Sequence, residues 1–314
     1  MLDLLNPYYY GIKLRNWLYD MGFIKACRPS VPVISVGNLS LGGSGKSSLV
    51  RYLAQMLSED LHPCILSRGY RRKSSGTLLV SERGSLLASW QESGDEPYML
   101  AKVLPRVSLV VDEDRCRGAD FALRRLKPDL FLLDDGFQHR KIQRDLNILL
   151  LKKRDLSDKL LPYGRLREPL SSIQRADLVV LAYAELEDFD WQHPQKPTLK
   201  MRRENWRVVR SSDQKLLENP QNISFIAFAG LGDNWQFFKT LKRLGIRLKK
   251  KLSLPDHYHY EGFELQEDEF YITTLKDAVK LPPSHNLYYL DFDVKVDGLS
   301  GVLEKLIFSK LKGR

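Results

Sequence analysis

The chain has 314 residues and a formal net charge of +10, enough length for one large or two ordinary α/β domains. That charge favours anionic partners: nucleotide, nucleic acid, phosphorylated substrate or an acidic membrane surface. No apolar run approaches the ~18 residues a membrane-crossing helix needs, and Asp3, Lys13, Arg15 and Asp20 break up any signal peptide at the start. The three cysteines, Cys27, Cys64 and Cys116, are odd in number, far apart and without metal-ligand spacing. They argue against a disulfide framework and for a reducing compartment, so a cytoplasmic location is expected.

Within residues 1–25, Tyr10, Leu14, Trp17, Leu18 and Met21 recur at helical spacing after Pro7, with Lys13, Arg15 and Lys25 nearby. Such a helix either lies in a membrane interface or packs its apolar face on its own domain. Periodicity leaves both open.

After Pro29, strands and helices alternate. "VPVISVG" is a strand, followed by a glycine-rich loop, the helix "KSSLVRYLAQML" and the strand "PCILSRG". "TLLVSERGSLLASW" predicts a hairpin turning at Arg83-Gly84, and a helix starts near "GDEPYMLAKVL". The strand "VSLVV", the helix "GADFALRRL" and the strands "DLFLLDD", "LNILLLK" and "ADLVVLAY" follow. Continuous apolar strands between amphipathic helices predict a mainly parallel sheet covered on both faces. This gives a P-loop NTPase-like three-layer α/β/α domain over 26–196.

Residues 197–222 are polar and irregular, a connector that can carry extended segments. A smaller α/β domain is expected over 223–314, with the strand "ISFIAFAG", the helix "NWQFFKTLKRLG" and the strands "RLKKKLSL", "EFYITTL" and "NLYYLDFDV". The last amphipathic helix, from about 298, has no assignable host domain.

The loop "VGNLSLGGSGKSSLV" carries the chemistry signal. Its tail Gly45-Lys46-Ser47 fits the phosphate-loop pattern, but Ser40 stands where that pattern asks for glycine. Between strand and helix, the backbone of Gly42, Gly43, Ser44 and Gly45 can face phosphates while Lys46 neutralises them. Ser47 would supply a hydroxyl to Mg²⁺. The apolar run ending in Asp134-Asp135 matches the acidic strand end that accompanies such loops. No N-K-x-D guanine reader is present, since "TTLKD" has the wrong order, and no helicase motif set occurs. Kinases and general ATPases remain.

Six stretches in order, "PVISVGNLSLGGSGKSSLV", "SRGYRRK", "GDEPYMLA", "DDGFQHRKIQRDLNI", "LLPYGRLREP" and "PDHYHY", resemble the tetraacyldisaccharide 4'-kinase family over about residues 1 to 280. The resemblance implies ATP-dependent phosphorylation of the 4'-hydroxyl of an acylated glucosamine disaccharide 1-phosphate, a step of lipid A assembly. It implies that Asp95 accepts the proton of the attacking hydroxyl and that His257 pairs with it. Asp134, Asp135 and Glu168 would hold Mg²⁺ with Ser47; Arg167 would face phosphate. Lys46, Asp135 and His139 join the catalytic set, Gln138 lies beside it, and Arg68 adds positive charge. The family usually has Thr-Pro where this chain has Ser47-Ser48; serine keeps the hydroxyl.

A substrate with four acyl chains favours membrane contact by the first helix, with the positive charge directed at an anionic leaflet. The expectation is a monomer, peripheral on the inner face of the inner membrane, with no nucleic-acid partner. The alternative is a soluble P-loop kinase or ATPase acting on another small phosphorylated or sugar substrate. A basic nucleic-acid binder ranks last, because no motif for one is present.

Overall fold

The structure, a computed structural model, describes residues 6–187 and 189–311, with side chains to residue 306. Residues 1–5 of the expected N-terminal segment, Asp188, and 312–314 beyond the last helix lie outside the described residues.

In chain order the first half contains α1 (Pro7–Asp20), β1 (Val33–Asn38), α2 (Lys46–Leu57), β2 (Pro63–Ser67), β3 (Leu78–Glu82), β4 (Ser85–Leu86), α3 (Trp90–Ser93) and α4 (Asp95–Val103). It continues with β5 (Ser108–Val111), α5 (Arg115–Arg125), β6 (Leu130–Asp134), β7 (Leu146–Leu151) and β8 (Leu178–Leu181). Strands β8, β7, β1, β6, β2 and β5 lie side by side, all parallel. Every residue of these six strands is buried, the consequence of apolar sequence on both faces.

Alternate side chains enter different cores. Ile34, Leu132 and Ile148 pack with Leu49 and Leu53 of α2 and Leu100 of α4. Val33, Phe131 and Leu133 pack on the opposite face with Ala119 and Ala122 of α5. The expected three-layer arrangement is therefore present, and the hairpin β3–β4 adds an antiparallel edge beyond β5.

The second half contains β9 (Thr198–Arg210), β10 (Ser224–Ala229), α6 (Asn234–Arg243), β11 (Arg247–Ser253), β12 (Phe270–Thr274), α7 (Leu275–Ala278), β13 (Leu287–Val296) and α8 (Leu299–Leu311). The stretch read as a connector is largely strand. Thr198–Lys200 of β9 pair parallel with β8, and Met201–Arg210 pair antiparallel with β13. One strand thus joins both halves into a 13-stranded sheet. The final helix has a clear host: Leu299 and Leu303 are buried in the same cluster as Leu49 and Leu53.

One expectation is overturned. Cys27 and Cys116, 89 positions apart, form a disulfide, leaving Cys64 as the buried free thiol. The fold brings them together because the chain entering β1 runs beside Lys141 and Gln143, with Cys27 N donating to Lys141 O at 2.8 Å and Gln143 N to Cys27 O at 2.9 Å. The first turn of α5, which carries Cys116, reaches the same backbone. Sequence spacing carries no trace of that proximity. The bridge also removes the cysteine argument for a reducing compartment.

Thiol titration of the denatured, unreduced protein should therefore find one reactive cysteine per chain, and three would refute the bridge. Cys116→Ser should lower unfolding free energy by about 2–4 kcal/mol.

Candidate active site

The phosphate loop leaves β1 at Asn38 and enters α2 at Lys46. Gly45 caps that helix with φ +81°, a left-handed conformation open to glycine, and an added Cβ would lie 2.7 Å from Met201 Cε. Gly42 is also left-handed, at φ +86°. Ser40 is not: it sits in ordinary backbone, buried, and bridges antiparallel to Leu166. Glycine's freedom is not needed there, which explains the departure from the pattern.

Lys46 Nζ donates to Asn38 Oδ1 at 3.0 Å and Ser44 Oγ at 3.3 Å, and lies 3.6 Å from Asp135 Oδ1. The Ser47 hydroxyl donates to Glu96 Oε2 at 2.9 Å. Asp135 has φ +52° and is gripped by Arg167 through two bonds of 2.8 and 2.9 Å. Burial opposes its charge, but Lys46 and Arg167 outweigh that and hold its carboxyl below the usual range.

Asp134 differs. Burial, then the negative charges of Glu96 and Asp135, push its pKa up to about 7. Its Oδ1 is buried without a hydrogen-bond partner among the described residues, while Oδ2 accepts from Ser67 Oγ at 3.2 Å. An orphaned carboxylate oxygen near Glu96 and the Ser47–Glu96 pair suits a hard cation. Mg²⁺ takes one or two carboxylates and fills the rest of its shell with water and phosphate oxygens.

Across the cleft, the loop after β11 presents His257, itself left-handed at φ +62°. Its Nδ1 lies 2.9 and 3.0 Å from the two oxygens of Asp95, at the first position of α4. Lys276 Nζ and Lys280 Nζ each lie 3.5 Å from Asp95 Oδ2. Burial would raise the pKa of Asp95, but the His257 hydrogen bond and the charges of Lys276, His257 and Lys280 bring it well below the ordinary carboxylate range.

These groups line one cleft of about 1330 Å³ between the halves. Gly42, Gly43, Ser44, Gly45, Lys46, Ser47, Ser48, Arg68, Asp95, Asp134, Asp135, Gln138, His139, Arg167 and His257 all face it. Gln138 Nε2 donates to Asn38 O at 2.9 Å. His139 is kept neutral by burial and by Arg115, its pKa pushed down to about 4.

Glu168 is the exception among the expected metal ligands. Fully buried, it pairs with Arg175 and with Arg15 of α1 at 2.7 Å, and it is not among the cleft residues. Two guanidinium groups occupy its oxygens, so it anchors the first helix.

Sequence reasoning missed four features of the cleft. Glu96 lay inside the quoted GDEP stretch, one residue past Asp95. Lys276 belongs to "TTLKD", read only as a failed guanine motif. Arg115 carried no signal. Neither did the wall where the Arg203 guanidinium lies 4.7 Å over the Tyr183 ring and 5.0 Å over Trp206.

The family model for tetraacyldisaccharide-1-P 4'-kinase (LpxK) matches residues 3–312. The chain is similar to the tetraacyldisaccharide 4'-kinase of Aquifex aeolicus (strain VF5), with 55% identity over 298 residues, 95% of this chain and 94% of the relative. It is 35% identical over 307 residues to the tetraacyldisaccharide 4'-kinase of Pelobacter propionicus (strain DSM 2379 / NBRC 103807 / OttBd1), covering 90% of this chain and 83% of that one. A crystal structure of LpxK from Aquifex aeolicus in complex with ATP matches with a TM-score of 0.89 at 55% identity, over 96% of this chain and 95% of the other. The chain belongs to the tetraacyldisaccharide-1-P 4'-kinase family, LpxK.

Proposed function

We propose that this protein transfers the γ-phosphoryl group of ATP to the 4'-hydroxyl of tetraacyldisaccharide 1-phosphate, with Asp95 as the proton acceptor. The observation carrying this division of roles is that the Asp95–His257 pair faces the Lys46–Ser47 loop across one cleft. The phosphate-loop backbone and Lys46 bind the nucleotide phosphates. Arg167 holds Asp135 in line with Lys46. Asp95 takes the 4'-hydroxyl proton as that oxygen bonds to the γ-phosphorus; the bond to the β–γ bridging oxygen breaks and ADP leaves. His257 orients the Asp95 carboxylate and shares the proton. Ser47 and Asp134, with Glu96 in reach, would hold Mg²⁺, which would supply charge neutralisation at the phosphates.

The acceptor lipid accounts for α1. Ile12 is its one buried residue, whereas Leu14 and Trp17 are 57% and 48% exposed, and Met21 and Phe23 just beyond are 60% and 68% exposed. No helix among the described residues is long and apolar enough to cross a membrane. An exposed aromatic face with Lys13 nearby suits an interface, so we assign the protein to the anionic surface of the inner membrane, on its cytoplasmic side, as a monomer.

With labelled ATP and the acylated disaccharide 1-phosphate, the protein should label the lipid. Lys46→Ala should lower kcat by about 10³-fold or more and chelation by EDTA should stop transfer; unlabelled lipid with folded wild-type protein would end this reading. Because Asp95 is held below its ordinary pKa, it stays ionised across roughly pH 6 to 8. The loss in kcat from Asp95→Asn, about 10²–10⁴-fold, should thus be constant over that range. For the membrane contact, the pair Trp17→Glu and Phe23→Glu should cut flotation with anionic vesicles about tenfold; unchanged flotation would place the contact elsewhere.

A further inference from the structure

Lys276 stands apart from the groups to which a role has been given. Its side chain is 11% exposed and its Nζ meets three carboxylates: Asp256 Oδ1 at 3.3 Å, Glu96 Oε1 at 3.5 Å and Asp95 Oδ2 at 3.5 Å. Asp95 and Glu96 open α4 in the first half of the molecule. Asp256 and Lys276 come from the second. The second oxygen of Glu96 accepts from Ser47. An unbroken chain of polar contacts therefore runs from the phosphate loop through Ser47, Glu96 and Lys276 to Asp95 and His257. It links the nucleotide end of the cleft to the group that activates the acceptor.

The placement of Lys276 is rigid. α7 is one short turn capped by Thr274, whose hydroxyl donates to Asp277 Oδ2 at 2.8 Å. Asp277, fully buried, also accepts from Gly230 N at 3.0 Å and pairs with Lys280 at 3.1 Å. Lys280 Nζ in turn donates to Tyr258 O at 3.0 Å. That network fixes the turn against the end of β10 and the loop bearing His257. With its backbone fixed and its side chain 11% exposed among three carboxylates, the ammonium is a common anchor for all three.

We propose that Lys276 is a positioning residue for phosphoryl transfer, holding the acceptor-activating Asp95 and the loop-linked Glu96 of one half against the second half. The proposal rests on the reading of Asp95 as proton acceptor. Without the ammonium, Asp95, Glu96 and Asp256 face one another as like charges, and misplacement by about 1 Å at a reacting group costs about 10²-fold in rate.

The test compares Lys276→Met, Lys276→Arg and Asp95→Asn in lipid phosphorylation, with ATP affinity measured on each folded protein. Lys276→Met should lose about 10- to 100-fold in kcat while ATP affinity stays within about threefold. Lys276→Arg, which keeps the charge, should recover most of kcat. The inference is overturned if kcat of Lys276→Met stays within about twofold of wild type. It is equally overturned if kcat and ATP affinity fall together, or if Arg does no better than Met. Should Lys276→Met not fold, Lys276→Gln removes the charge while keeping a polar head and is read the same way. An active Asp95→Asn would instead sink the assignment of the proton acceptor; an inactive one beside an unaltered Lys276→Met would sink the lysine's role alone.

Discussion

A carboxylate out of water must find positive charge or give up its own, and this constraint organises the cleft. Asp95, buried at the start of α4, finds His257, Lys276 and Lys280, all from the other half of the chain. Asp135 finds Arg167 and Lys46 within its own half. Asp134 forms no ion pair among the described residues, and burial, with the charges of Glu96 and Asp135, raises its pKa. The three acids thus occupy three electrostatic environments within one site. One is tuned by the second half of the chain, one is clamped within the first, and one keeps a buried oxygen without a hydrogen-bond partner among the described residues. The two halves meet at Asp95 and its cations.

The sheet makes that meeting geometrically definite. β9 pairs with β8 over three residues and with β13 over the next ten, so the halves share backbone hydrogen bonds as well as ion pairs. Arg51 of α2 adds a bond of 2.6 Å to Asp291 of β13 beside the same cleft. A loose linker would leave His257 and Asp95, 162 positions apart, to find each other by chance. A continuous ladder sets their approach.

What could be read from sequence divides along physical lines. The parallel core was legible because strands buried on both faces are apolar without interruption, as in "LNILLLK". The phosphate loop was legible because left-handed turns need glycine and phosphates need Lys46, both local requirements. β9 was not, because a strand with exposed edges and charged partners reads "TLKMRRENWRVVR", polar enough to pass for a connector. Lys276 and Glu96 escaped for a related reason: their importance lies in what they touch across the cleft, and no local pattern encodes a contact 180 positions away. The Cys27–Cys116 bridge belongs to the same class. Asp95 and His257 were reached through family resemblance, since GDEP alone reads equally well as a helix start.

The fate of Glu168 shows how closely the two ends of the reaction are built together. Read as a metal ligand, it proves to be the socket for Arg15 of α1. Its neighbour Arg167 turns the other way, clamping Asp135 and bonding Asn38 Oδ1 at 2.6 Å, the oxygen that also holds Lys46. Tyr8 of α1 donates to the Arg167 carbonyl at 3.0 Å. Two adjacent residues therefore face opposite ways, one toward the helix that exposes Leu14 and Trp17, the other toward Lys46 of the glycine-rich loop. Because Tyr8 of the same helix holds the Arg167 carbonyl, a shift of α1 large enough to break the Arg15 pair would also pull on Arg167. The exposed helix α1 is thus tied both to Glu168 and to Arg167, the residue that clamps Asp135 beside Lys46.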